Sequence, residues 1–217
     1  LVDSSDSTDG RCRPATLTRG RFSAEDDAQY KEGHLHGQFH STSNLFVTLA
    51  AENCITTALV DKAQPVIDAL RESSLSVVTD ESCTAGLIAA ILSHAHHAGE
   101  CLHGGFVVYS KEQKSASLGV NPALLKSKGS VNAEVALQMA RGALHRSAAS
   151  VSLAVTGVLG PDPDEDSNPA GLVYFAVCRE GLEPLTSMRI FDYDSPDAVR
   201  RGAVAYGLHL LLEVASQ

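Results

Sequence analysis

Between residues 53 and 214, short apolar, β-branched runs alternate with stretches of helical period, and this alternation constrains the fold more than any other feature. Strands are predicted at 75–79, 105–109, 151–155, 172–178 and 185–191, and helices at 53–72, 84–95, 112–118, 132–146 and 196–214. In the first helix Ile55, Leu59, Ala63, Val66, Ile67 and Leu70 share one face. In the fourth, Asn132 is a cap ahead of Val135, Leu137, Met139 and Leu144. Helices interleaved with strands predict a layered α/β domain. The hairpin-like spacing of the last two strands predicts that the sheet is mixed.

Residues 1–42 have a different composition, rich in Ser, Asp, Thr, Arg, Gly and His and poor in aliphatics. The first 50 residues therefore read as an extended or disordered extension and residues 51–217 as the globular domain. His34, His36 and His40 read as solvated loop histidines ahead of a metal site. The chain starts at Leu1, which reads as a fragment or processed product. A formal net charge of −9 disfavours a general nucleic-acid-binding role, which needs a basic face. No run approaches the roughly 18 apolar residues of a membrane span. Five cysteines without C-x-x-C spacing argue for a reducing compartment, cytoplasmic or organellar, over a disulfide framework.

The chemistry begins where the first strand meets a helix, at Asp80-Glu81-Ser82-Cys83-Thr84-Ala85-Gly86. Such a junction presents backbone N–H groups to an anion or a developing oxyanion, and Ser82 sits within it. A serine before a helix is ordinarily a cap worth about 1 kcal/mol. To be a nucleophile it needs a base. His94, His96, His97 and His103 fall near a helix end, with neither a G-x-S-x-G elbow nor a Ser…Asp…His order. Lys114, after Phe106-Val107-Val108-Tyr109, is the other candidate: partial burial would lower its pKa, and Tyr109 could relay its proton or orient it. The Tyr-x3-Lys spacing of a short-chain dehydrogenase is not met, and no Gly-rich dinucleotide turn follows the first strand.

Four motifs, Glu81-Ser82-Cys83-Thr84-Ala85-Gly86, Gly105-Phe106-Val107-Val108-Tyr109-Ser110 with Lys114, Thr156-Gly157-Val158-Leu159-Gly160-Pro161 and Pro169-Ala170-Gly171-Leu172-Val173-Tyr174, occur in the order of the CinA C-terminal domain family. The chain resembles that family, which includes nicotinamide-nucleotide amidohydrolases, from about residue 53 to 214. The resemblance implies a three-layer α/β/α sandwich on a mixed, mostly parallel sheet. It implies hydrolysis of the carboxamide of nicotinamide mononucleotide (NMN) to nicotinate mononucleotide and ammonia, with no metal or organic cofactor. Matched residue by residue, Ser82 is the nucleophile, Lys114 the general base and Tyr109 the third member of the set. Cys83, Thr84, Ala85 and Gly86 would donate N–H groups to the oxyanion or phosphate, and Thr156, Gly157 and Arg200 would line the substrate pocket.

The departures are as informative. Ala85 replaces the second-last Gly of the usual ESCTGG signature, at a cost on the order of 1 kcal/mol if the position needs φ > 0. Lys111 replaces an Asn, and the usually Gly-rich loop carries Asp162, Asp164, Glu165 and Asp166, which would repel a phosphate unless turned away. The segment before the last helix keeps Val199-Arg200 but lacks an earlier arginine. These changes leave an alternative: a CinA-like domain of weak or no activity, acting as a subunit of a larger assembly docked through residues 1–50. A homodimer through Val204, Leu208 and Leu211 of the last helix is also allowed, although core packing explains them equally well.

Overall fold

The computed structural model describes residues 55–217. The extension at 1–50, its boundary and His34, His36 and His40 lie outside the described residues. The helices are α1 (Thr57–Val60), α2 (Ala63–Glu72), α3 (Leu87–Leu92), α4 (Ala98–Cys101), α5 (Lys111–Leu118), α6 (Pro122–Lys128), α7 (Ala133–His145) and α8 (Pro196–Ala215). The strands are β1 (Val77–Glu81), β2 (Leu102–Val107), β3 (Val151–Gly157), β4 (Leu172–Arg179) and β5 (Leu185–Ile190).

The sheet order is β2-β1-β3-β4-β5. β1 pairs in parallel with β2 and β3, whereas β4 is antiparallel to both β3 and β5, so β4 alone runs against the other four. One face packs Val77, Leu153, Val155 and Phe175 against α2, α3 and α8; the other packs Val78, Ala154 and Ala176 against α5, α6 and α7. The result is the expected α/β/α sandwich. Val204, Leu208 and Leu211 of α8 are spent in the first of these cores and present no exposed dimer face. On the other side, Gly142 of α7 passes so close to the Leu118 carbonyl that a Cβ would lie 2.0 Å from its oxygen. That contact seats α5 against the sheet.

Three local differences from expectation bear on function. β1 starts and ends two residues later than predicted, which brings Asp80 and Glu81 inside a strand buried on both faces. Helix α3 starts at Leu87 rather than 84, because Ala85 (φ 53°) and Gly86 (φ 90°) are left-handed and break the helical run. Helix α6 was not expected, although Asn121 caps it through Ala123 N at 2.9 Å, Pro122 opens it and Gly129 ends it.

The chain leaves β1 over one face of the sheet and β2 over the other, as the partition of α3 from α5–α7 between the two cores shows. The carboxyl ends of β1, β2 and β3 therefore open onto a crevice at a switch in topology, where open α/β sheets bind ligands.

Candidate active site

Ser82 is the first residue beyond β1, and its N–H still donates to the Val155 carbonyl at 3.0 Å. The ladder thus holds it on the same face of the strand as Val78 and Asp80, the α5–α7 side. Glu81 points to the other face. Its carboxylate, fully buried, accepts from Thr79 Oγ1 at 3.0 Å, Ile88 N at 3.0 Å and Ala89 N at 2.9 Å. Glu81 thereby takes the amides at the start of α3 that the sequence suggested would face an anion. What remains for a ligand is the turn itself. Ala85 N donates to Ser82 O, while the N–H groups of Cys83, Thr84 and Gly86 donate to no other described residue.

Lys114 comes from the first turn and a half of α5, a helix capped by Ser110, whose hydroxyl accepts from Gln113 N at 3.1 Å. Lys114 is 1% exposed and among the largest of the fully buried side chains. Its Nζ lies 2.8 Å from Ser82 Oγ, 2.9 Å from Val108 O and 3.2 Å from Tyr109 O. Three acceptors suit an ammonium. They equally suit a neutral amine that donates to the two carbonyls and accepts the Ser82 hydroxyl proton. Burial lowers the Lys114 pKa to about 8, opposed by Cys83 and Asp80 and assisted by Lys111.

Tyr109 reaches Lys114 through its main-chain carbonyl. The phenol is 72% exposed and makes no hydrogen bond to a described residue, standing instead at the wall of the pocket. Cys83 is buried and its thiol is pushed up to about 12, chiefly by desolvation, which leaves it a poor nucleophile beside Ser82. His94, His97 and His103 bond Ala90 O, Glu100 and Ala148 N respectively, and none bonds Ser82.

A cavity of about 260 Å³ opens over Ser82 and is lined also by Cys83, Tyr109, Thr156, Gly157, Asp162 and Asp164. Thr156 Oγ1 donates to Ser130 O at 2.9 Å, tying the end of β3 to the turn before α7. Gly157 lets β4 approach: a Cβ there would meet the Leu172 carbonyl oxygen at 2.7 Å. Thr84, Ala85 and Gly86 belong to the Ser82 turn without lining the cavity, and Arg200 does not line it either. Arg200, on α8, donates from Nε to Cys83 O at 3.4 Å and pairs through Nη1 with Asp197.

Two of the sequence departures answer each other. Lys111 pairs with Glu165 and with Asp166 Oδ2, the latter at 3.2 Å. Asp164 is turned into its own loop, accepting from Asp166 N, Asn168 N and Asn168 Nδ2. Among the described residues Asp162 alone of the four has neither an ion pair nor a hydrogen bond, and it lines the cavity.

One neighbour of the site escaped the sequence reading. Asp80 is fully buried, and neither of its carboxyl oxygens has a hydrogen-bond partner. Burial and the adjacent Glu81 push its carboxyl well above the usual range, against the pull of Lys114. The signal was present in the sequence as a charged pair continuing an apolar β-branched run. Among the described residues no cluster of three or more His, Cys, Asp or Glu could hold a metal ion, and no helix is long and apolar enough to cross a membrane.

An α/β/α sandwich with a serine at the end of its central strand and a buried lysine against that serine defines a class of domain with Ser–Lys architecture. Residues 60–215 match the CinA C-terminal domain, and the chain belongs to that family. It is 35% identical over 153 residues to the nicotinamide-nucleotide amidohydrolase PncC of Escherichia coli K12, covering 70% of this chain and 92% of that protein. It is 40% identical over 131 residues to a CinA-like protein of Geobacter sulfurreducens, covering 60% of this chain but 30% of that longer one. Among solved structures, the competence/damage inducible protein CihA of Agrobacterium tumefaciens superposes with a TM-score of 0.71 at 32% identity, over 75% of this chain and 98% of that one. A CinA superfamily protein of E. coli gives 0.69 at 31% identity, over 74% and 93%.

Proposed function

We propose that the chain is an amidohydrolase that deamidates nicotinamide mononucleotide. The observation that carries this reading is the 2.8 Å contact between Ser82 Oγ and the buried Lys114 Nζ, whose pKa burial lowers to about 8. The relative named a nicotinamide-nucleotide amidohydrolase supports the choice of substrate.

In this reading Val108 O and Tyr109 O hold the two N–H bonds of neutral Lys114, so the amine lone pair faces the Ser82 hydroxyl. Ser82 Oγ bonds to the carboxamide carbon as its proton passes to Lys114 Nζ. The oxyanion takes its donor from the turn after Ser82, where Cys83 lines the cavity, at a contribution of about 3 kcal/mol per well-placed donor. Lys114 then protonates the leaving nitrogen, the C–N bond breaks and ammonia departs. Water attacks the acyl-serine, gives its proton to Lys114 and releases the carboxylate, restoring Ser82. Tyr109 orients Lys114 by its carbonyl and offers its exposed ring to the substrate, with Thr156 and Gly157 bounding the pocket and Arg200 bracing the serine turn through Cys83 O.

The test is ammonia release from NMN by the full chain, beside Ser82→Ala and Lys114→Met. Release lost about a thousandfold or more in both variants is expected, since such groups act as a unit. Absence of release by the wild type, with no rise in melting temperature on adding NMN, would overturn the reading. It would favour the subunit alternative, for which the left-handed Ala85 is the specific observation.

A further inference from the structure

We propose that Asp80 is a positioning residue for the base: a buried carboxyl beneath the Ser82–Lys114 pair whose ionisation sets which protonation state Lys114 holds. The proposal rests on Lys114 serving as the base of Ser82, and adds a group that the reaction scheme does not use.

The placement is geometric. Asp80 and Ser82 are alternate residues of one ladder, so their side chains leave the same face of β1 roughly 7 Å apart. That face is covered by α5 and α7, and Asp80 lies between Phe106 of β2 and Ala154 of β3, its register partners. The cover offers it almost nothing polar. Helix α7 presents Ala136, Met139, Ala140 and Ala143, all fully buried. Ser152 on the same side has its hydroxyl committed to Ala140 O.

The titratable groups in electrostatic reach of Asp80 are Lys114 from α5, Glu81 beside it on β1 and Cys178 from β4; those acting on Lys114 are Cys83, Asp80 and Lys111. Glu81 is already bonded on the opposite face and Cys178 is a buried thiol pushed up to about 11. Among the described residues Lys114 is thus the one cation within electrostatic reach of Asp80, and neither carboxyl oxygen has a hydrogen-bond partner. A carboxyl so placed resists ionising, since burial penalises the anion. When it does ionise, the ammonium of Lys114 is the charge that compensates it, and a lysine kept as ammonium cannot accept the serine proton.

The sign follows. An Asp80 anion raises the pH at which Lys114 becomes a base; abolishing the charge lowers it.

The experiment follows Lys114 itself, by the 13Cε shift of labelled lysine through a pH titration of the full chain, in wild type, Asp80→Asn and Asp80→Val. Lys114→Met identifies the resonance. In both Asp80 variants the Lys114 midpoint is expected to fall by about half a pH unit or more. The rising limb of kcat/KM for NMN should move down by the same amount. Two uncharged replacements of different shape, each checked by thermal melting, separate a loss of charge from a loss of packing. An unmoved Lys114 midpoint in whichever variant is folded overturns the proposal even if NMN is turned over. A moved midpoint with no NMN turnover leaves the proposal standing and defeats the substrate reading instead.

Discussion

Asp80 and Glu81 are neighbours on one strand, both carboxylic acids, both fully buried, and they have opposite environments. Glu81 faces the start of α3 and receives three donors. Asp80 faces α7 and receives none. Burial alone therefore says little about what a carboxyl does: Glu81 is a structural brace that fixes the serine turn, whereas Asp80 is left unbonded beside the reactive pair. A buried acid costs several kcal/mol unless its hydrogen bonds are made, so the two residues should respond to substitution with opposite signs.

The largest expected effect is at the bonded one. Glu81→Ala strands the amides of Ile88 and Ala89 and the Thr79 hydroxyl, and should cost about 3 kcal/mol in urea or thermal unfolding. A loss under about 0.5 kcal/mol would mean that the brace is not one. Asp80→Val, whose β-branched apolar side chain suits a buried strand, should instead stabilise by about 1 kcal/mol. If both substitutions destabilise equally, the contrast between the two acids collapses.

Stability against pH sharpens it further. Because the folded state raises the Asp80 pKa, that group's contribution is fully present below about pH 4 and is lost as pH rises toward its folded value. Lys114 behaves in the reverse sense: its pKa falls from 10.5 to about 8, so its contribution is present above 10.5 and is lost as pH falls through 8. Melting temperatures from pH 4 to 10 should show the acidic slope in wild type and its disappearance in Asp80→Val.

Smaller effects come from the turn and the loop. Ala85→Gly should relieve the left-handed residue by about 1 kcal/mol and leave Ser82 in place. Lys111→Ala should change stability by no more than a few tenths of a kcal/mol, since its pairs with Glu165 and Asp166 are partly exposed and screened. It should nonetheless weaken NMN binding, read as a raised KM, by freeing two carboxylates beside the cavity.

The sequence made the layered fold legible because strand and helix periods alternate cleanly from β1 to α8. It also placed Ser82 and Lys114 at successive strand–helix junctions, which the topology then joined across the crevice. Three features resisted. The end of β1 is displaced because Asp80 and Glu81 look like turn residues, and only the amides of α3, seven and eight residues on across a left-handed turn, make a buried Glu81 acceptable. Helix α6 is short, and its Asn121-Pro122 start was readable but its apolar face, Leu124 and Leu125, was too brief to show a period. The pairing of Lys111 with Glu165 and Asp166 spans more than fifty residues and has no local signature.

The two carbonyls that hold Lys114 carry a consequence for how such a site can change over time. Val108 O and Tyr109 O belong to the main chain, so substitution at either position leaves the acceptor in place as long as the backbone keeps its course. Selection can therefore remodel the exposed ring at 109, and with it the rim that meets the substrate, without disarming the lysine underneath. In the proposed reaction, a site wired this way would separate the part that performs the chemistry from the part that chooses the molecule.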